Sequence, residues 1–346
     1  METPSGTTSA RVAGPVTRNR ISQTVRWTMI VVGLILAAGT VGPAMAQDET
    51  APEAAVMARL ASRTLALDAF AVDGAYVAVG ERGHVLISTD GGETWQQQQV
   101  PTRTMLTGVF FHDRSLGWVV GHDSAILRTT DGGVTWDLVN WAPDDGNPFF
   151  DVWFSDANNG VVIGAYGGYY ETTDGGESWS SRWISEDDWH LHKIVPSEGG
   201  RLYIAGEAGS VYRSDDNGEN WVTLPTLYQG SYFGILPLDG DSVLLFGLRG
   251  HLFRSDDAGE SWEELETGTV AMLTDGQRLG DGTVVITGLG GTVLTSSDGG
   301  NTFALHQQAN RRGISAAVET GDGALLLVGE FGVKTAALSE LTAGND

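Results

Sequence analysis

Cysteine is absent from the 346 residues, and lysine is nearly so, since only Lys193 and Lys334 occur among the 20 lysines and arginines. Without cysteine the chain has no disulfides, no thiolate chemistry and no cysteine-ligated zinc. Basic residues are also outnumbered by 44 acidic ones, which gives a formal net charge of −24. Such a surface repels phosphate groups, so we expect no binding to nucleic acid and no direct binding to anionic lipid. This acidity would serve solubility, or alternatively it would be an adaptation to a saline environment.

Long apolar runs are missing except near the N-terminus. Trp27 to Ala46 carries no charge over twenty residues, ends in a small-x-small pattern, and is preceded by Arg18, Arg20 and Arg26. This pattern predicts a secretory signal peptide over residues 1–46, and therefore an exported, periplasmic protein. About twenty apolar residues also suffice to span a bilayer, so an uncleaved anchor in the inner membrane remains an alternative.

An internal repeat is the main signal in the rest of the sequence. An apolar residue followed by G-x-x-G, or once by G-x-x-S, occurs seven times. The first glycines are Gly80, Gly121, Gly164, Gly206, Gly247, Gly288 and Gly329. Their spacing is 41 to 43 residues. A period of this length indicates a solenoid or a propeller.

A second marker follows the first six of these turns. An aspartate lies ten residues after the leading glycine, and an aromatic residue lies five residues further on, as in Thr-Asp-Gly-Gly-Glu-Ser-Trp at 173–179. These Asp boxes contain Asp90 and Trp95, Asp131 and Trp136, Asp174 and Trp179, Asp216 and Trp221, Asp257 and Trp262, and Asp298 and Phe303. Six equivalent copies favour a structural role: aspartate accepts amide hydrogen bonds within its own turn, and the aromatic ring covers that turn. The boxes lack the closing glutamate of a calcium loop, so no metal site is expected.

Each repeat reads as four short strands separated by Gly, Asp and Asn. In the second repeat we predict them at 106–112, 117–121, 125–130 and 135–139. Helical periodicity is absent from the repeats, and four strands in about 42 residues are typical of a propeller blade. The sequence therefore predicts an all-β, seven-bladed β-propeller over residues 65–341, preceded by the signal segment and followed by a short tail at 342–346.

The seventh repeat lacks an Asp box and a fourth strand. It offers only 333–338 as a third strand before the tail. An open ring would leave a bare sheet edge, so the missing strand is expected to come from the N-terminal segment at 47–64, in particular from 53–64. A loose or helical tether is the alternative for this segment.

The combination of apolar-G-x-x-G, an aliphatic strand and T-D-G-G-x-T-W resembles the photosystem II assembly and stability factor propellers, which carry the bacterial neuraminidase (Asp-box) repeat. Gly117 to Asp123 and Leu127 to Gly133 carry the resemblance most clearly. It implies a non-catalytic scaffold without a cofactor, which helps to assemble a membrane protein complex. In a bacterium without photosystems, it implies an accessory of an RND-type exporter. The resemblance thus implies the fold and the accessory role, but it does not imply a particular client protein.

Candidate binding residues lie in the loops opposite the Asp boxes, because sites on regular scaffolds usually occupy the variable loops. Arginine and aromatic residues are the usual anchors of protein interfaces. The candidates for protein binding are Arg82, Arg103, His122, Asp123, Trp183, Trp189, Arg249, Arg311 and Arg312. By contrast, Tyr166, Tyr169 and Tyr170 are expected to pack between blades. We predict a monomer that binds an integral membrane protein.

Two other classes of function remain open. A carbohydrate- or peptide-binding propeller without catalysis is the first alternative. A sialidase-type glycosidase is the second, with Arg82, Arg249 and Arg311 around a substrate carboxylate and Tyr166 as nucleophile. It is disfavoured because the Arg-Ile-Pro sequence of sialidases is absent. His122 and Asp123 also suggest a catalytic dyad, although such a pair at a tight turn is more often a structural hydrogen bond.

Overall fold

A computed structural model describes residues 52–343. The segment predicted as a signal peptide lies outside the described residues. Within residues 52–343, no helix has the length and apolar character needed to cross a membrane.

Within these described residues, twenty-seven strands form seven antiparallel sheets that follow one another in sequence. The first four sheets contain β1 (Ala66–Val72), β2 (Ala75–Gly80), β3 (Val85–Ser88) and β4 (Gln96–Gln98); β5 (Leu106–Phe111), β6 (Gly117–Gly121), β7 (Ile126–Thr129) and β8 (Asp137–Asn140); β9 (Phe149–Phe154), β10 (Gly160–Gly164), β11 (Tyr169–Thr172) and β12 (Ser180–Ser181); and β13 (Leu191–Pro196), β14 (Leu202–Gly206), β15 (Val211–Ser214) and β16 (Val222–Thr223).

The remaining sheets contain β17 (Tyr232–Pro237), β18 (Val243–Gly247), β19 (Leu252–Ser255) and β20 (Glu263–Glu264); β21 (Leu273–Arg278), β22 (Val284–Gly288), β23 (Thr292–Ser296) and β24 (Ala304–Gln307); and β25 (Ile314–Glu319), β26 (Leu325–Gly329) and β27 (Gly332–Ala336). Short 3₁₀ turns occur at Ala61–Arg63, Glu81–Gly83, Pro143–Asp145, Glu198–Gly200, Leu248–Gly250 and Leu289–Gly291, and one short helix, α1, spans Leu338–Thr342.

The sheets are the blades of a closed ring. The first strand of each blade lies beside the first strands of both neighbours, and β1 lies beside β25. Seven layers of buried apolar side chains fill the seven joints between blades. The second strand of every blade is buried at all of its residues, because both of its faces contact such a layer. The predicted all-β, seven-bladed propeller is confirmed.

The Asp boxes form the turns between the third and fourth strands of blades one to six. In blade three, the hydroxyl of Thr172 donates to Asp174 Oδ1 at 2.7 Å and accepts the amide of Gly176 at 2.9 Å. Asp174 also accepts the amide of Ser178 at 3.0 Å, and the indole of Trp179 donates to the carbonyl of Gly176 at 3.2 Å. The hydrogen bonds from Ser178 and Thr172 hold the pKa of the Asp174 carboxyl well below its usual range. Through these hydrogen bonds, the aspartate stabilises the hairpin.

Replacing Thr172 by valine is expected to lower the free energy of unfolding by about 1–3 kcal/mol, because it leaves the buried amide of Gly176 without an acceptor. Urea denaturation measures this loss. Ser178→Ala is the matched control: it removes an exposed hydroxyl bonded to the same aspartate, so its effect should be smaller. Equal losses in the two variants would contradict the importance of the buried amide.

The expected closing strand at 53–64 is wrong, because this segment forms no strand and blade seven has three strands. Instead, the amide of Ala55 donates to Val100 O at 2.9 Å, and the amide of Ala58 donates to Gln97 Oε1 at 2.7 Å, so the segment packs on the outside of blade one. The next residues then take the place of the missing connection from blade seven to blade one. Leu65 O accepts the amide of Glu81, just as Met105 O accepts that of His122 at the following joint.

Candidate protein-binding face

The two faces of the ring carry different loops. The Asp boxes share one face with the turns between first and second strands, as the bond from Gly132 N to Ser115 O (2.8 Å) illustrates. The opposite face, here called the loop face, carries the G-x-x-G turns and the connections between blades. These two sets of loops also bond to each other, for example from Gly209 N to Gly230 O at 2.8 Å. All nine predicted binding residues lie in loops of the loop face.

The G-x-x-G turns project their third residue from a left-handed backbone. Arg82, Asp123, Tyr166, Ala208 and Arg249 have φ between 54° and 58°. The following residue must lie close to the connection, since a Cβ on Gly83 would be 2.1 Å from Thr102 O. The sequence thus places the large side chains of Arg82, Tyr166 and Arg249 at strained positions on the loop face, and strained positions are common in functional sites.

Four arginines on the Asp-box face are paired with carboxylates, whereas three arginines on the loop face have no such partner within residues 52–343. On the Asp-box face, carboxylates lie within 3.1 Å of the guanidinium groups of Arg201, Arg213, Arg254 and Arg278. On the loop face, Arg82, Arg249 and Arg311 are exposed, and their side chains make no ion pair or hydrogen bond within residues 52–343. Three guanidinium groups therefore keep all their donors for a partner.

The other predicted residues differ in how much they offer a partner. Arg103 forms an ion pair with Glu53, and the guanidinium of Arg312 donates to Glu330 O. His122 is exposed and Asp123 is half-buried, and no hydrogen bond joins their side chains in the described part of the chain. The indoles of Trp183 and Trp189 are 66% and 40% exposed. A binding role for these residues stays a prediction.

A basic sector extends over blades seven, one and two of the loop face. Arg63, Arg103 and Arg311 lie at equivalent places, each two residues before the carbonyl that accepts the first amide of a G-x-x-G turn. Arg63 is not among the binding residues predicted from the sequence. It could have been found from the repeat itself, because Ser62-Arg63-Thr64 has the same form as Thr102-Arg103-Thr104.

An aromatic cluster lies across the ring, on blades three to five. Phe150, His192 and Phe233 are the second residues of β9, β13 and β17. The ring centroids of Phe150 and His192 are 5.7 Å apart, and those of His192 and Phe233 are 4.6 Å apart. Burial lowers the pKa of His192, whose Nδ1 bonds to Tyr232 O at 2.8 Å, so the ring is neutral at pH 7. Exposed Tyr166 extends the cluster through His190, whereas Tyr169 is buried between blades as expected.

Four charged side chains meet at the centre of the ring, where the third residues of four first strands are Asp68, Asp151, Lys193 and Asp275. Lys193 Nζ is 3.3 Å from Asp151 Oδ1. Each carboxylate also accepts an amide from the first strand of the next blade, at 2.9 Å. Burial lowers the pKa of Lys193, but the three carboxylates together raise it above its ordinary value. The ammonium thus stays charged and balances acids that join neighbouring blades.

Ionisation of Asp275 makes the stability of the propeller depend on pH. Burial raises its pKa to about 6 although Lys193 attracts the ionised form. The folded chain therefore binds more protons than the unfolded chain between about pH 4 and 6, and stability falls as the pH rises through that window. Asp275→Asn stays neutral and should raise the free energy of unfolding at pH 7.5 by about 1–2 kcal/mol, with no gain at pH 4. An equal effect at both pH values would contradict this origin.

Seven blades, six Asp boxes and a face of non-repeating loops define the chain as an Asp-box β-propeller. It belongs to the family described as photosynthesis system II assembly factor YCF48, whose model matches residues 90–147 and 142–334. The chain is thus a member of a family of propeller assembly factors. No curated protein matches the sequence.

Solved structures share the fold at low sequence identity. A structure of YCF48 bound to a D1 peptide has a TM-score of 0.66 and 20% identity, over 83% of this chain and 94% of that one. YCF48 from Cyanidioschyzon merolae has a TM-score of 0.64 and 17% identity, over 78% and 94%. A streptogramin B lyase has a TM-score of 0.68 at 12% identity, over 80% and 95%. Because the same fold also occurs in an enzyme, the function depends on the loops.

Proposed function

We propose that this chain is a non-catalytic assembly or accessory factor whose loop face binds an integral membrane protein on the exported side of a bacterial inner membrane. The observation that carries the proposal is the contrast between the two faces: arginines are neutralised on the Asp-box face, whereas Arg82, Arg249 and Arg311 keep free donors on the loop face. Membership of the family and the D1 peptide bound to YCF48 support a protein partner. The basic and apolar segments near the N-terminus support export.

Site-specific photo-cross-linking in native membranes tests this proposal. A photoreactive residue at position 82, 166 or 183 of the loop face is expected to capture an integral membrane protein. The same residue at position 134 or 177, in exposed places of two Asp boxes, is the matched control and should capture none. Equal capture from both faces, or none from either, would refute the proposal. The captured protein also identifies the client, for which we propose a photosystem subunit or an RND-type exporter.

A non-catalytic role also predicts no turnover of a fluorogenic sialoside. The arginines considered for a sialidase site, together with Tyr166, lie in loops of blades one, three, five and seven. Release of the fluorophore by the purified chain, and its loss in Tyr166→Phe, would instead support the glycosidase.

One cavity favours carbohydrate binding as a second candidate function. At three joints, an arginine in the third strand donates to an Asp-box carbonyl of the next blade, at 2.7 to 2.9 Å. In blade three the equivalent residue is Glu171, which instead binds Arg182 at 2.9 Å. A cavity of about 630 Å³ opens at this joint, between Trp153, Trp179 and Asn217. Indole faces with carboxylate and amide groups suit a sugar. Binding on a glycan array that Trp153→Ala abolishes and Trp183→Ala retains would support this alternative.

A further inference from the structure

In the described part of the chain, blade seven presents a sheet edge without a partner. In blades three, four and five, the carbonyl of the first residue of the third strand accepts an amide from the segment of the fourth strand. These bonds join Tyr169 O to Arg182 N at 3.1 Å, Val211 O to Leu224 N at 2.9 Å, and Leu252 O to Leu265 N at 2.8 Å. In blade seven the equivalent residue is Val333, and no strand pairs with the outer side of β27 within residues 52–343.

The register of β27 identifies the groups that face this edge. β26 and β27 pair through Gly329 with Gly332, and Leu327 with Lys334. In a two-residue hairpin the pair next to the turn exchanges hydrogen bonds, and bonded and non-bonded pairs then alternate. The amides and carbonyls of Val333 and Thr335 therefore point outward. They offer a place for a short strand, and β15 and β16 also pair through only two residue pairs.

The two ends of the described chain pass near this edge without pairing with it. The N-terminal segment contacts Gln97 and Val100 of blade one, and a Cβ on Gly332 would be 2.1 Å from Ser62 O. Ala61 also packs in the apolar layer that Val333 contacts, but no residue of the segment forms a strand with β27. The C-terminal helix α1 turns toward blade six, since Leu341 is buried with Leu279 and Leu327. Within residues 52–343, the outer edge of β27 is therefore left open.

Two basic side chains lie at the loop-face end of this edge. Lys334 is on β27 and Arg63 is beside the turn, where a Cβ on Gly332 would be 2.6 Å from Arg63 Cα. Both side chains are exposed and make no ion pair within residues 52–343. The carboxylate of nearby Glu330 accepts the amide of Gly313 at 2.8 Å. In a chain of net charge −24, this concentration of unpaired bases favours a negatively charged occupant and disfavours a second copy of the chain.

We propose that the outer edge of β27 binds an extended acidic segment of the partner protein by strand addition. Main-chain bonds to Val333 and Thr335 supply the docking, and Arg63 and Lys334 select acidic side chains. The inference rests on the proposed function, because it assigns to the membrane protein partner the segment that completes blade seven. The edge of β27 is a different surface from the one tested by cross-linking at positions 166 and 183, because those positions lie on blades three and four.

Two capped heptapeptides with alternating residues, one of glutamate and valine and one of lysine and valine, test the proposal on the full chain. Fluorescence anisotropy is expected to show binding of the acidic peptide alone. Hydrogen exchange should slow at residues 332–336 when that peptide binds. Thr335→Pro removes an outward amide that has no hydrogen-bond partner within residues 52–343, so it should leave the melting temperature nearly unchanged and weaken binding at least tenfold. Arg63→Glu should also weaken binding, and Arg249→Glu, with the same charge change on blade five, should not.

Several results would overturn the proposal. These are equal binding of both peptides, exchange protection confined to other residues, and unchanged affinity in Thr335→Pro. A dimer that Thr335→Pro dissociates would assign the edge to a second copy. If Thr335→Pro does not fold, the exchange pattern and the comparison of Arg63→Glu with Arg249→Glu decide the question in the natural backbone. A folded Thr335→Pro chain could still capture the membrane protein at position 166 or 183 with undiminished yield. This result would refute strand addition and would leave the proposed function supported.

Discussion

Replacing Gly332 by alanine is expected to detach the N-terminal segment from blade seven and to lower the free energy of unfolding by about 3–5 kcal/mol. Gly332 has φ of +87°, which costs an alanine about 1–2 kcal/mol by itself. The added Cβ would also lie 2.1 Å from the carbonyl oxygen of Ser62. Neither backbone can yield without breaking the contact that replaces the missing connection into blade one.

Gly282→Ala is the matched control for this prediction. Gly282 has φ of +88°, but a Cβ there has open space around it. The free energy of unfolding of Gly282→Ala should therefore fall only by the cost of placing an alanine at positive φ, which is about 1–2 kcal/mol. Denaturant unfolding measures both variants, and hydrogen exchange at residues 55–64 shows whether the N-terminal segment is released. Equal losses for the two glycines, or an undisturbed segment in Gly332→Ala, would contradict this account of ring closure.

Trp118→Ala is expected to cost about 3–5 kcal/mol of unfolding free energy. The indole is fully buried and stacks on the ring of Phe154, with centroids 3.4 Å apart and an interplanar angle of 10°. Its Nε1 also donates to Gly175 O at 3.1 Å, which ties blade two to the Asp box of blade three. Truncation removes the largest fully buried side chain of this joint and one of the two donors to Gly175 O, and it leaves a cavity between two blades.

Trp183→Ala provides the comparison, because that indole is 66% exposed on the loop face. Its effect on stability should stay within about 0.5 kcal/mol. Thermal and urea unfolding of both tryptophan variants test this contrast. A small loss in Trp118→Ala would mean that neighbouring blades close the cavity, and that the joints are more plastic than their packing indicates.

The repeat made most of the fold predictable. The predicted strand at 117–121 matches β6, and the one at 106–112 differs from β5 by a single residue. Glycine turns and Asp boxes fix these strands because their chemistry is local: φ above zero at the turns and side-chain acceptors for neighbouring amides. The candidate loops could be assigned to one face for the same reason, since they lie between the repeating elements, and their binding role stays a prediction.

The features that the sequence analysis missed or misread depend on contacts between blades. The closing strand was expected because an unpaired edge is unfavourable, yet the chain closes the ring with residues that copy a connection, so Arg63 was overlooked. Tyr166 was expected to pack between blades, but its turn holds it outward and 55% exposed. The partners of Phe150 and Lys193 lie on other blades, about 42 residues away, and no local pattern in one repeat brings them together.

The placement of Ser62 beside the turn of the last blade constrains the order in which the molecule forms. During synthesis, the residues of blade one must wait for their partners in blade seven. One example is the hydrogen bond from Gly321 N to the Tyr76 hydroxyl at 3.0 Å, which spans 245 positions of the chain. A nascent polypeptide can stack its early sheets one by one, but it remains an arc with two exposed flanks until synthesis reaches β27. Cooperative resistance to proteases should consequently arise late and all at once, since the final joint has the largest loop-closure entropy to overcome.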